Sequence, residues 1–350
     1  MFADLVVFDL STVLAGPSVA TFFAELGAKV TKIEHPIHGD VTRTWRIPGE
    51  NQEVTSYFSS INFGKQYITK DFSQPCDYSW LIDQLPQVDV LIMNFKPSDY
   101  EKFNLTKQTL LSINPRLVIG TISGFGDNSD RVAYDLILQA ESGLMSINGE
   151  TDNPPLKMPV AFIDVLAAHQ LKEALLLSLI KLEKTGQGSW VSVSLYDAAV
   201  SSLVNQASAF LMNGFVPKRI GSLHPNIAPY GEIFKTKDQK LVTFAVGSNR
   251  QFKALCSLLN CELLAVNPSY STNEERVKHR EQLKLEIAPH IMKFDSSSLS
   301  NLALEHQIPF GIIKSMDEVF STTAANDLIR EENQGTTATK RVTQLAFKWK

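Results

Sequence analysis

The chain has 350 residues, enough for two domains of ordinary size, and its 44% hydrophobic and 20% charged residues exclude intrinsic disorder and collagen-like structure. Lys and Arg total 33 against 37 Asp and Glu, a net charge of −4 with no basic tract, which argues against a dedicated nucleic-acid binder. Cys76, Cys256 and Cys261 are too few for a disulfide framework and lack zinc-finger spacing, so they read as reduced thiols of a cytoplasmic protein.

Residues 1–4 carry neither a basic region nor a small-residue cleavage site, so no targeting signal is expected. Residues 5–10 (LVVFDL) form an apolar run that reads as a buried strand. Pro17 suits a first helical turn, Gly27 suits a helix stop, and residues 29–34 (KVTKIE) alternate like a strand. Helix is expected at 80–85 and 110–113, and strand at 88–95 (VDVLIMNF) and 116–123 (RLVIGTIS). Strands separated by helices indicate βαβ units and a parallel sheet. Leu166, Leu171, Leu175, Leu179 and Leu182 recur at helical spacing and predict a helix over 165–184, stopped by Thr185-Gly186-Gln187-Gly188. A strand over 190–195 and a long helix over 198–212 follow. Gly214, Pro217, Gly221, Pro225 and Pro229 mark a boundary. Beyond it, a strand at 241–246 and helices at 250–259, 274–290 and 298–306 suggest a smaller α+β domain. Apolar stretches at 158–168 and 171–182 are broken by Asp164, His169, Lys172, Glu173 and Lys181, so neither reaches the roughly 18 residues of a membrane span.

Few local motifs carry chemistry. Gly124-Phe125-Gly126-Asp127-Asn128-Ser129 approaches a dinucleotide fingerprint, but Ser129 replaces its last glycine and turn residues follow, so it reads as a glycine-rich βα loop. Gly64-Lys65 lacks the upstream glycine of a P-loop, and His35 and His38 lack the further ligands a metal needs. Neither H-E-x-x-H nor G-x-S-x-G occurs. Asp164 stands alone in an apolar run before the predicted helix. Chemistry alone favours a helix cap, although a poorly solvated carboxylate is also a strong nucleophile toward an activated acyl group.

The order of short segments is more specific. Val13-Leu14-Ala15-Gly16-Pro17, residues 25–34 (ELGAKVTKIE), Gly39-Asp40, Asn62-Phe63-Gly64-Lys65 and Asn94-Phe95-Lys96-Pro97 come first. Asn114-Pro115-Arg116-Leu117, Ser123-Gly124-Phe125-Gly126, Tyr134-Asp135, Gln139-Ala140, Ser142-Gly143, Asp164, Thr185-Gly186-Gln187-Gly188 and Ser194-Leu195-Tyr196-Asp197 follow. His224-Pro225-Asn226, Pro229-Tyr230 and residues 246–252 (VGSNRQF) continue the series. Over residues 5–320 this resembles the class III coenzyme A transferases, the formyl-CoA and carnitine-CoA transferase group (CaiB/BaiF).

The resemblance implies an α/β protein with a Rossmann-like parallel sheet in a large CoA-binding domain, residues 1–212, to which 325–350 return. Residues 213–324 would form linkers and a small α+β domain, and two chains would interlock as a homodimer. It implies a cytoplasmic transferase that moves coenzyme A from an acyl-CoA to a small free carboxylic acid, through an aspartyl anhydride and an aspartyl-CoA thioester at Asp164. Coenzyme A and acyl-CoA enter as substrates, with no permanently bound cofactor, metal, nucleic acid or membrane expected.

CoA contacts carry over to Leu14 and Ala15, and to Asn94, Phe95 and Lys96. His35 and Lys102 stand where arginine is common and could meet a phosphate. Lys70, Asp71, Phe72 and Ser73 match an adenine-side segment, and Tyr134 and Asp135 a tyrosine–acid pair beside the reacting carbonyl. Arg219 and Arg250 are candidate carboxylate clamps. Ala168 replaces a glycine frequent in the family, and Gly221-Ser222-Leu223-His224-Pro225 stands in for a glycine-run lid. The closing Phe347-Lys348-Trp349-Lys350 falls short of the usual final stretch, which leaves open how the interlocking tail is built.

Two rivals remain at this stage. An α-methylacyl-CoA racemase would carry histidine at Tyr134 and glutamate near Asn249; a phenol of pKa about 10 and an amide are poor proton carriers at neutral pH. A non-catalytic CoA-binding protein of the same fold would have no use for Asp164.

Overall fold

Six short strands form one parallel sheet in the computed structural model, which describes residues 1–348. They are β1 (Val6–Asp9), β2 (Lys29–Glu34), β3 (Lys65–Thr69), β4 (Val90–Met93), β5 (Val118–Ser123) and β6 (Ser189–Ser194). Their order is β3-β2-β1-β4-β5-β6, every neighbouring pair parallel, with Val7 opposite both Val30 and Val90. This is the doubly wound order, whose direction reverses between β1 and β4.

Helices α1 (Ala15–Glu25), α2 (Pro75–Gln84), α3 (Asp135–Glu141) and α4 (Phe162–Thr185) surround it, followed by α5 (Leu195–Ser201) and α6 (Val204–Asn213). Alternation along the strands sends Val7, Val90, Ile92 and Val118 into a core with α1 and α4. Phe8, Leu91, Met93 and Ile119 point the other way, joining Leu81 of α2 in a second core. Burial on both faces explains why these strands read as continuous apolar runs. Helix α4, at 24 residues, is the main brace. It lies so close to β5 that a Cβ on Gly120 would come within 3.0 Å of Leu175 and 3.2 Å of Leu171. Gly186 ends it in a left-handed conformation (φ 69°), its amide donating to Leu182 O at 2.7 Å.

Four departures from the sequence reading bear on the architecture. Strand β3 was not expected: Lys65-Gln66-Tyr67-Ile68-Thr69 is polar because it is the sheet edge. The single helix expected over 198–212 is two, α5 and α6, interrupted at Ser202 and Leu203, with Val204 at φ 33°. The charged helix expected over 274–290 divides at His279 into Asn273–Lys278 and Arg280–Ile291, the first capped by Thr272. A hairpin, β10 (Ile329–Gln334) and β11 (Thr337–Val342), was not anticipated. It attaches beside β3, where Gly64 N donates to Glu332 Oε2 at 2.9 Å and Gln334 Nε2 donates to Asn62 O at 3.1 Å.

The chain groups into two units. One comprises Met1–Met145, Lys157–Pro217 and Ala324–Lys350 and holds the six-stranded sheet and the hairpin. The other comprises Ser146–Leu156 and Lys218–Thr323. Its antiparallel sheet, β7 (Tyr230–Lys235), β8 (Leu241–Ala245) and β9 (Phe310–Ile312), packs on Phe252, Leu255, Leu283 and Leu299. Cys256 and Cys261 are free thiols in this core, and Cys76 is an exposed one. Among the described residues no helix is long and apolar enough to cross a membrane.

Candidate active site

In an open parallel sheet the crevice beyond the carboxyl ends of the strands, at the reversal point, is where ligands bind. A cavity of about 320 Å³ lies there. Residues 12–15 after β1, 94–97 after β4, and Ser123 and Gly124 after β5 line it, together with Ser129, residues 131–134, Asp164 and Leu195.

The loop after β1 needs support, because Val13 is β-branched and left-handed (φ 73°). Asn94 clamps the preceding residue from both sides: its Oδ1 accepts from Thr12 N at 3.0 Å and its Nδ2 donates to Thr12 O at 2.9 Å. Val13 N donates to Asp40 Oδ1 at 3.3 Å. Lys32 then ties Asp40 back to the loop, its Nζ standing 3.0 Å from Asp40 Oδ2 and donating to Ser11 O at 2.7 Å. Beneath it Lys65 Nζ pairs with Asp9 Oδ2 at 2.8 Å and donates to Pro17 O and Asn62 Oδ1. The side chains of Asp9, Lys32, Asp40 and Lys65 are wholly buried. Burial pushes the Lys65 ammonium down to about 8, against the pull of Asp9. Burial alone would raise the Asp9 carboxyl, but Lys65 and Lys32 hold it below its ordinary value. Gly16 is obligatory beside this network, since a Cβ there would collide with the Ser11 side chain.

Asp164 is not a helix cap. Ala161 occupies the N-cap of α4, and Asp164 lies inside the first turn. Capping comes from elsewhere: Asp135 Oδ1 accepts from Ile163 N at 2.7 Å. The other Asp135 oxygen accepts from the Gln139 side-chain amide, whose Oε1 accepts from Met158 N at 2.7 Å. Asp164 itself is 7% exposed, and its side chain has no hydrogen-bond partner among the described residues. Burial, then the Asp135 charge, pushes its carboxyl up to about 7. Tyr57 feels the same charges: burial, followed by Asp164, Asp135 and Asp40, moves its phenol up to about 12. Its ring meets Trp45 edge-on at 5.0 Å. Neither Trp45 nor Tyr57 stood out in the sequence, because nothing periodic or motif-like surrounds them.

The cavity brings together Leu14, Ala15, Asn94, Phe95, Lys96, Tyr134 and Asp164, with Asp135 holding the helix start. His35 borders a different cavity of about 530 Å³, with residues 36–40, Arg43 and Tyr67. Its ring stacks on His38 at 4.6 Å, and its Nε2 is 3.8 Å from Asp71 Oδ2. Lys70, Asp71, Phe72, Ser73 and Lys102 line neither cavity. Lys70 Nζ pairs with Asp77 at 2.8 Å, Asp71 accepts from Ser73, and Phe72 packs on the second core. Lys102 is exposed beside the Phe103 ring. Arg219 and Arg250 lie in the second unit, where Arg219 Nε donates to Glu150 O at 3.3 Å. No cluster of His, Cys, Asp and Glu fit for a metal occurs among the described residues.

A single family description, CoA-transferase family III, matches residues 2–350. The chain belongs to CoA-transferase family III. An acyl-CoA transferase of Fusarium pseudograminearum is 36% identical over 335 residues, 92% of this chain and 73% of that one. The succinate–glutarate CoA-transferase of Agrobacterium fabrum is 35% identical, covering 90% and 80%. The acetyl-CoA:oxalate CoA-transferase of Acetobacter aceti is 31% identical, covering 94% and 85%. The crystal structure of a CaiB/BaiF family protein from Brucella suis superposes with a TM-score of 0.85 at 31% identity, covering 99% and 91%. This family III CoA-transferase therefore has the CaiB/BaiF fold, and its family acts on CoA thioesters as substrates.

Proposed function

We propose that this CoA-transferase works through Asp164 as its nucleophile, moving coenzyme A from an acyl-CoA to a short dicarboxylic acid. The observation that carries the reading is the Asp164 carboxylate: nearly buried, free of hydrogen bonds, and facing a cavity at the reversal point of the sheet. Desolvation leaves its lone pairs uncommitted and raises its basicity.

One Asp164 oxygen attacks the thioester carbonyl, the C–S bond breaks, and a mixed anhydride forms as CoA thiolate departs. The thiolate attacks the aspartyl carbonyl and expels the donor carboxylate, leaving aspartyl-CoA thioester. The acceptor carboxylate displaces the thiolate, which then attacks the acceptor acyl carbon and regenerates the Asp164 carboxylate. The amides of the first turn of α4 favour negative charge developing there. Leu14, Ala15, Asn94, Phe95, Lys96 and Tyr134 would flank the pantetheine arm, and Asp135 would position the nucleophile. His35, Lys70, Asp71, Phe72, Ser73 and Lys102 are proposed for the nucleotide end. Relatives named for succinate and glutarate, succinyl-CoA and mesaconate, and oxalate support a dicarboxylate acceptor.

A cytoplasmic homodimer completes the reading. The free thiols support the compartment. The run Phe210, Leu211, Met212, Phe215 and Val216, each more than half exposed, supports a subunit contact.

Intact-protein mass spectrometry after incubation with succinyl-CoA, followed by hydroxylamine trapping, tests the mechanism. A CoA adduct on the Asp164 peptide that is absent in Asp164→Ala is expected. Wild-type transfer by Asp164→Ala refutes it.

A further inference from the structure

The Asn62-Phe63-Gly64-Lys65 segment has no part in the proposed mechanism, yet its lysine grips the loop that lines the Asp164 cavity. Lys65 Nζ has three protons and meets three acceptors: Asp9 Oδ2 at 2.8 Å, Pro17 O at 2.9 Å and Asn62 Oδ1 at 2.8 Å. Asp9 ends β1 and Pro17 lies in the first turn of α1, so these two acceptors stand on either side of residues 12–15. Those four residues line the cavity of Asp164. One ammonium therefore ties both ends of the loop together. Asn62 extends the tie, its Nδ2 donating to Phe58 O at 3.0 Å in the short helix Ser56–Ser60.

Stability is a poor account of this arrangement. Desolvation of a wholly buried ion pair offsets much of its attraction, and apolar replacements of such pairs are often neutral or stabilising. What Lys65 supplies is fixed geometry. Val13 is held at φ 73°, strained for a β-branched residue, and it can relax once the ends of its loop are free. Ser11 is fixed by the same pair, since its amide donates to Asp9 Oδ1 at 3.0 Å.

We propose that Lys65 is a positioning residue of this transferase, its ammonium holding residues 12–15 in the shape that receives the acyl-CoA. The inference rests on the reading of the Asp164 cavity as the place of the thioester. The Lys65 side chain is wholly buried, so it acts through Asp9 and Pro17 rather than on the substrate.

Binding of S-ethyl-coenzyme A, a thioether that cannot be turned over, tests it in the paired variant Asp9→Asn/Lys65→Met. That variant removes one cation and one anion, keeps an acceptor for the Ser11 amide, and leaves Lys32 with Asp40. Its urea midpoint is expected to lie above that of Lys65→Met, while its Kd rises at least tenfold over wild type. Deuterium exchange over residues 11–18 is expected to quicken at least tenfold, with 118–123 unchanged. A folded variant whose Kd stays within twofold of wild type, or whose exchange over 11–18 is unchanged, overturns the proposal. Leu14→Arg, which obstructs the cavity directly, separates the two readings. If Leu14→Arg leaves the Kd unchanged, the cavity is not the thioester site and the proposal falls with that reading. If it weakens binding and the paired variant does not, only the Lys65 clamp falls. Should the paired variant not fold, the pH dependence of wild-type binding decides. Burial brings the Lys65 ammonium down to about 8, with Asp9, Lys32 and Asp40 the charged groups that act on it. A neutral amine offers two donors to three acceptors, so the Kd is expected to rise at least threefold from pH 7 to pH 9. A flat profile overturns the proposal.

Discussion

Asp135 Oδ1 accepts a 2.7 Å hydrogen bond from the Ile163 amide, so the helix that carries Asp164 starts on a side chain from another helix. Asp135 also supplies the charge that, after burial, lifts the Asp164 carboxyl. One residue thus helps position Asp164 and adds to the basicity that burial gives it.

Those two roles separate by substitution. Asp135→Asn keeps an acceptor for Ile163 but removes the charge, so the acid limb of the kcat profile should move to lower pH. Asp135→Ala also removes the cap and should cost about 1 kcal/mol of stability. Urea unfolding and pH–rate profiles of both variants check this.

Asp164 should make the protein less stable as pH rises. Its folded value of about 7 lies above the unfolded 3.8, so the native state holds the extra proton between these values. The contribution is full below about pH 4 and lost as pH climbs through 7. Asp164→Asn should therefore match wild type near pH 4 and exceed it by up to about 4 kcal/mol at pH 8. Unfolding free energies at the two pH values decide.

The buried pair beneath the active-site loop should show strong coupling. Lys32→Met leaves Asp40 buried without its cation and should cost about 3–5 kcal/mol. Adding Asp40→Asn should recover much of that loss. A double-mutant cycle by chemical denaturation measures the coupling; additive losses would disprove it.

Asn94 holds the Thr12 peptide by both of its polar groups. Asn94→Leu should cost about 1–3 kcal/mol and free the strained Val13 loop. The kcat/KM for acyl-CoA should fall by more than the loss of folded protein explains.

The sheet was legible wherever a strand is buried on both faces, as at 88–95 and 116–123, because apolar runs between turn residues admit few other readings. Lys65–Thr69 escaped because an edge strand has no such run. At the site, Asp164 was visible as a lone carboxylate in an apolar stretch, yet its first reading as a cap failed. The acceptor for the helix start lies 28 residues upstream, a distance no local pattern spans. Tyr57, Trp45 and the Asp9–Lys65 pairing are likewise products of tertiary packing.

Gly120 lets α4 press onto β5 without an intervening methyl, and Asp164 rides on that helix. Amides in the middle of α4 should therefore exchange with deuterated solvent only when the whole sheet opens. The Asp164 carboxylate is then anchored to the slowest-opening part of the molecule. Adjustment to substrates of different length must come instead from the loops after β1, β4 and β5, which close the cavity from its other sides.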